Sequence, residues 1–288
     1  MNTDSSPIGV FDSGMGGLTV LRALRNQLPG ESFLYLGDTA RLPYGTKSST
    51  TVQRYALQAA RILVDRGVKA LVVACNTASA VALASLQQQF APLPVLGVVE
   101  PGAQVAAATC RGRILVLATE STVNGGAYQR RLLTLRPDLR VFARPCPLLV
   151  ALAEEGRHQG PLVTLALQQY LQGYADLRRS GEPRSGERGS ASGSFDTLLL
   201  GCTHFPVFRD ALREVLDETE NPGVALVDSA ETTACALADQ LSSGNLAAAP
   251  ADIEPTLALM ATDGIDRFRR VGGYFLGERL SAVELVDL

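Results

Sequence analysis

Short runs of aliphatic and β-branched residues recur along this chain as solid apolar blocks, without the polar alternation of a half-exposed strand. They fall at Ile8–Phe11, Phe33–Leu36, Ala70–Ala74, Val95–Gly97, Ile114–Ala118, Val141–Ala143, Thr197–Leu200, Ala225–Val227 and Thr256–Met260. Strands of that kind are buried on both faces. Between them lie amphipathic, helix-period stretches: Leu18–Leu28, Thr51–Arg66, Ala78–Phe90, Gly125–Leu135, Pro161–Arg178, Val207–Glu218 and Glu231–Leu241. Regular strand–helix alternation predicts an α/β architecture with parallel sheets covered by helices. With 288 residues, 46% of them hydrophobic, the chain can fill one large or two ordinary domains.

One segment breaks the rhythm. Positions 178–194 hold five serines, four glycines, four arginines and a proline, with no large apolar residue. This composition predicts a flexible solvated insertion. A net charge of −3 argues against a nucleic-acid footprint. No apolar run is long enough for a membrane span, and Met1–Ser6 lacks the features of a signal peptide, so a cytoplasmic location is expected. Five widely spaced cysteines without a C-x-x-C pair read as free thiols.

The plan looks duplicated. Leu71-Val72-Val73-Ala74-Cys75-Asn76-Thr77 is echoed by Leu198-Leu199-Leu200-Gly201-Cys202-Thr203-His204, and Val10-Phe11-Asp12-Ser13 by Leu117-Ala118-Thr119-Glu120. Each half would then place a thiol just past the carboxyl end of a parallel strand, where open α/β sheets bind ligands. A cysteine in an apolar run is usually a small core residue. Two in matched contexts, each between a strand and a helix N-terminus that favours thiolate, point instead to chemistry. Cys110, Cys146 and Cys235 lack that context and are read as structural.

Asp12-Ser13-Gly14-Met15-Gly16-Gly17 ends the first strand with a tight turn. A dinucleotide fingerprint would need a third glycine where Thr19 stands, so the turn is read as holding a small carboxylate, with Asp12 as an acceptor near the reacting centre. Cys202 and His204 could give two zinc ligands, but nothing nearby completes a tetrahedral set, and no metal is expected. His204 can tune the neighbouring thiol, and Pro43-Tyr44-Gly45 can cover a ligand. Glu154 closes an apolar helical turn and reads equally well as a solvated helix end. Two thiols with adjacent acceptors suit inversion of a stereocentre, with a base on one face of a carbon and an acid on the other. A decarboxylase or cis–trans isomerase would rely mainly on one cysteine, and a binding protein on neither.

Together, Phe11–Leu18, Pro43-Tyr44-Gly45, Ala74–Ser79, Cys146-Pro147-Leu148 leading to Glu154, and Leu200–Pro206 resemble the cofactor-independent glutamate racemases of the aspartate/glutamate racemase superfamily. The resemblance implies that Cys75 and Cys202 are the acid/base thiols, Asp12 assisting the first and Glu154 with His204 the second. It implies a glutamate pocket lined by Asp12, Ser13, Tyr44, Gly45, Asn76, Thr77, Thr203 and His204. It further implies that no cofactor is used, that D-glutamate is supplied for bacterial peptidoglycan, and that the enzyme is a homodimer. Its fold would be two similar parallel-sheet α/β domains related by a pseudo-twofold axis, with the active site in the cleft between them. The chain is expected to cross near Glu100-Pro101 and again near Pro206, giving residues 1–99 with 208–288 as one domain and 100–207 as the other. Aspartate-specific relatives tend to carry an acidic residue where His204 stands, which favours glutamate.

Overall fold

The computed structural model describes residues 3–172, 195–218 and 223–288. The solid apolar runs form two parallel sheets. The first contains β1 (Ile8–Asp12), β2 (Phe33–Gly37), β3 (Ala70–Val73), β4 (Val95–Gly97), β9 (Leu257–Ala261) and β10 (Glu284–Leu285), in the order β10-β9-β2-β1-β3-β4. The second contains β5 (Arg113–Ala118), β6 (Arg140–Pro145), β7 (Thr197–Gly201) and β8 (Ala225–Asp228), in the order β6-β5-β7-β8. Four consecutive strands of the first sheet, β2-β1-β3-β4, thus repeat the plan of the whole second sheet. Cys75 follows β3 and Cys202 follows β7, the equivalent strands of the two units.

Alternation along each strand sorts side chains into separate cores. Ile8, Val10 and Val72 from one sheet, with Leu115, Leu117, Leu198 and Leu200 from the other, share a single hydrophobic cluster. Into it pack α1 (Leu18–Gln27), α7 (Pro147–Glu154), α8 (Pro161–Leu171), α9 (Arg209–Glu218), α10 (Ser229–Ser242) and α11 (Ile265–Leu276). Phe11, Leu71 and Val73 point the other way, onto α2 (Ser49–Asp65) and α3 (Asn76–Phe90). Ile114, Val116 and Leu199 likewise point onto α4 (Val99–Thr109) and α6 (Ala127–Leu135). No helix among the described residues is long and apolar enough to cross a membrane.

The chain passes from the first sheet to the second through α4. Its return differs from the expected one near Pro206. Leu198 pairs with Leu226 and Leu200 with Asp228, so β8 belongs to the second sheet and the chain returns through α10, after Asp228, not near Pro206. Residues 208–228 therefore join the second unit. The physical reason is edge pairing: β7 leaves one edge open after bonding β5, and β8 closes it. Local patterning cannot reveal which sheet supplies that edge.

Other departures are local. Helix α3 begins at Asn76, two residues before the expected start, because Cys75 caps it and its Sγ accepts from the Ala78 N–H at 3.5 Å. The expected helix over Gly125–Leu135 is instead α5 (Glu120–Gly125) followed by α6, broken where Gly126 adopts φ +64°. The insertion at 178–194 lies outside the described residues.

Far from the thiols, just before the amino end of β3, Lys69 Nζ pairs with Glu31 Oε2 at 2.6 Å, with both side chains buried. The same ammonium donates to the carbonyls of Asp4 and Ala247, both at 2.9 Å. Removing one partner strands a buried charge. Lys69→Met is therefore expected to destabilise the fold by about 3–5 kcal/mol in urea unfolding. Turnover per folded molecule should be unchanged, because the pair stands at the opposite end of the strand from Cys75.

Candidate active site

The carboxyl ends of the two sheets meet, and the contacts between them define the site. Asp12 ends β1 fully buried, its Oδ2 accepting from the Gly14 N–H at 2.9 Å while Oδ1 has no hydrogen-bond partner. Tyr35 Oη fixes the turn by donating to the Gly14 carbonyl at 2.9 Å. Gly17 lets α1 begin directly over Asp12, since a Cβ there would lie 2.4 Å from the Asp12 Cβ. Burial raises the Asp12 carboxyl above its usual range, against the opposing pull of the His204 charge and the N–H groups of the turn.

Cys75 donates to Ser13 Oγ at 3.4 Å. Burial, reinforced by the Asp12 carboxylate, pushes its thiol up to about 12, which favours the protonated form. Cys202 faces a different set. Its Sγ lies 3.7 Å from His204 Nδ1, and His204 Nε2 lies 3.1 Å from Glu154 Oε1. Burial alone would lower the imidazolium, but its bonds to Cys202 and Glu154 outweigh that and lift His204 to about 10. Burial would raise Glu154, yet His204 and then Arg267 bring it net below the ordinary carboxyl range. A protonated imidazole held by a carboxylate can give a proton to the Cys202 sulfur and, once neutral, take one back from it.

The glycine turn earns its close approach here. A Cβ on Gly16 would lie 2.5 Å from both His204 Nδ1 and Thr203 Oγ1, so this residue seats the β1 turn on the Cys202 loop. Thr19 Oγ1 locks the same loop, donating to the Thr203 carbonyl at 2.8 Å. On the other flank, Thr77 Oγ1 lies 2.9 Å from Thr119 Oγ1, and a Cβ on Gly45 would lie 2.7 Å from the Thr119 Cβ. Tyr44 is buried with its hydroxyl donating to Asp38, so the segment can offer a ligand its ring and backbone. Asn76 Nδ2 donates to Tyr128 Oη at 2.7 Å and to Ser229 Oγ at 3.3 Å, and its Oδ1 is buried without a partner.

The structure thus brings Asp12, Ser13, Cys75, Asn76, Thr77, Thr203, His204, Cys202 and Glu154 to one interdomain junction, with Tyr44 and Gly45 on its flank. Glu154 is buried, so it is not a solvated helix end. Cys110 and Cys146 are buried, and Cys235 is exposed. Sequence reasoning misses Thr19, Thr119, Tyr128, Ser229 and Arg267. Thr119 alone carried a signal, as the counterpart of Asp12 in the repeat. The others lie on helical elements, where a polar residue looks like any solvated position.

The chain is similar to known racemases in sequence and in fold. The family described as Asp/Glu/Hydantoin racemase matches residues 8–175. A glutamate racemase from Geobacter metallireducens is 46% identical, covering 98% of this chain and 96% of its own. The crystal structure of glutamate racemase from Francisella tularensis in complex with D-glutamate superposes with a TM-score of 0.84 at 34% identity, covering 98% of each chain. That from Thermus thermophilus, in complex with β-chloro-D-alanine, does so with a TM-score of 0.80 at 41% identity, covering 100% of this chain and 99% of the other. With more than half of its length matched by the family and its relatives aligned nearly end to end, the chain belongs to the Asp/Glu/hydantoin racemase family of isomerases.

Proposed function

We propose that the chain interconverts L- and D-glutamate by moving the Cα proton between Cys75 and Cys202. The observation that carries this reading is the placement of the thiols on equivalent strands of two facing sheets, each with its own proton partner. One thiolate removes the Cα proton while the opposite thiol delivers one to the other face. The thiolate and thiol exchange roles, and no net proton is consumed. Asp12 Oδ1, a buried acceptor without a partner, suits the substrate ammonium. That cation would also ease ionisation of Cys75, which burial and Asp12 otherwise oppose. Ser13 and the N–H groups opening α3 suit a carboxylate, and fixed donors there stabilise the charge that builds as Cα loses its proton. Glutamate is favoured as the substrate by the names of the similar proteins and by His204 at the position where aspartate-specific relatives tend to be acidic. We further place the enzyme in the cytoplasm as a homodimer supplying D-glutamate for bacterial peptidoglycan, a reading supported by its family.

The test is racemisation of L-glutamate in heavy water without added cofactor. Early product should carry deuterium at Cα while remaining L-glutamate does not, since product is protonated by a thiol that has exchanged with solvent. Equal early labelling of both enantiomers would mean one shared base and would overturn the two-thiol scheme.

A further inference from the structure

Glu154 is held from two sides. His204 takes Oε1, and on the other side Arg267 Nη2 lies 3.7 Å from Oε2. The same nitrogen donates to the Glu154 backbone carbonyl at 3.3 Å and reaches the exposed Glu155 carboxylate at 3.4 Å. Glu154 is the last residue of α7, so the guanidinium sits at a helix C-terminus, where both a donor and a positive charge are favoured. Arg267 lies in α11, which follows β9 of the six-stranded sheet, whereas Glu154 and His204 belong to the four-stranded unit. The line Arg267–Glu154–His204–Cys202 therefore crosses from one unit to the other. Cys202 at its end is only 4% exposed and Cys75 only 5%, so a substrate can reach the thiols only if the sheet edges separate.

We infer that Arg267 is a positioning residue: reaching across from α11, it fixes Glu154, and through it His204, in the orientation that serves Cys202 once the two units are seated. The inference rests on the two-thiol reading above. Arg267 touches neither thiol, and its side chain is 45% exposed, so its ion pair contributes little to stability by itself. Its weight falls on orientation. The charged groups around Glu154 are His204 at Oε1, Arg267 at Oε2, Glu155 beside it and Asp12 across the site. Removing the Arg267 charge lets the Glu154 carboxyl rise, so it takes up a proton at a higher pH than in the native protein.

The test uses purified full-length R267Q and R267K, with glutamate racemisation followed by circular dichroism. For R267Q, kcat should fall about tenfold with KM within about twofold, the size expected for losing one charge-assisted hydrogen bond that positions an acid/base group. The acid limb of its pH profile should move to higher pH, a change that a purely structural role would not produce. R267K should stay within about threefold of wild type, because every contact made by Arg267 uses one nitrogen. Unchanged kcat and acid limb in R267Q, or a loss confined to KM, would overturn the inference. An inactive wild-type protein would instead count against the glutamate reading itself.

Discussion

Cys75→Ala and Cys202→Ala are each expected to lower glutamate racemisation by at least about 10³-fold, to the same floor as the double variant. A positioned acid or base supplies about 10²–10⁴-fold, and removing either one leaves inversion with only half of its proton path. Groups acting as one unit are non-additive, so the second substitution should add almost nothing. The folded state should tolerate both changes. Each cysteine is small and buried, and Cys75 loses two long sulfur contacts, to Ser13 Oγ at 3.4 Å and to the Ala78 N–H at 3.5 Å, the second a cap worth about 1 kcal/mol or less. Circular dichroism spectra and melting temperatures close to wild type would show that the lost turnover is chemical. A single variant keeping a tenth of the wild-type rate would leave one thiol able to serve both faces, and the two-base scheme would fail.

Much of this site was legible in the sequence because the chemistry sits where strands end. Solid apolar runs located β1, β3, β5 and β7 to within a residue or two, and in a parallel sheet their carboxyl ends mark the ligand side. Cys75, Cys202 and Asp12 followed from that alone. His204 drew attention by standing two residues from Cys202, whereas Glu154 needed the resemblance, since it closes an apolar turn. What stayed hidden was set by non-local pairing. The return of the chain after Asp228 depends on which sheet has an open edge for Ala225–Asp228. Helix α11 was missed because Gly272-Gly273 weakens its signal. The structure explains the first of these glycines, as a Cβ there would lie 2.9 Å from Leu18 Cδ1 of α1. Arg267 and Tyr128 were invisible for a related reason. A charged or aromatic residue on an amphipathic helix carries no mark of what lies opposite it.

The glycines after Asp12 show the same limit and supply the sharpest steric prediction. In sequence, Gly14-x-Gly16 suggested a turn approaching a ligand. In the structure, the space a Gly16 side chain would need is filled by the protein itself. A Cβ would lie 2.5 Å from His204 Nδ1, the atom that faces Cys202 Sγ at 3.7 Å. The imidazole cannot yield freely, because Nε2 is tied to Glu154 and the ring edge meets Phe275 with centroids 5.4 Å apart. Nor can the backbone of the loop, since Thr19 holds the Thr203 carbonyl. Gly16→Ala must therefore either turn the imidazole away from the sulfur or hold the two units apart. Displacing a reacting group by about 1 Å costs about 10²-fold, and kcat/KM is expected to fall by that order. Gly16 does not have a positive φ, so alanine meets no backbone strain and the fold should persist. Gly30→Ala is the matched control, because a Cβ there meets nothing within 4 Å, and its activity should stay within about twofold of wild type. If Gly16→Ala turned over glutamate at the wild-type rate, the close seating of the β1 turn on His204 would play no part in the reacting arrangement, and the two sheets would have to meet the substrate in some other register.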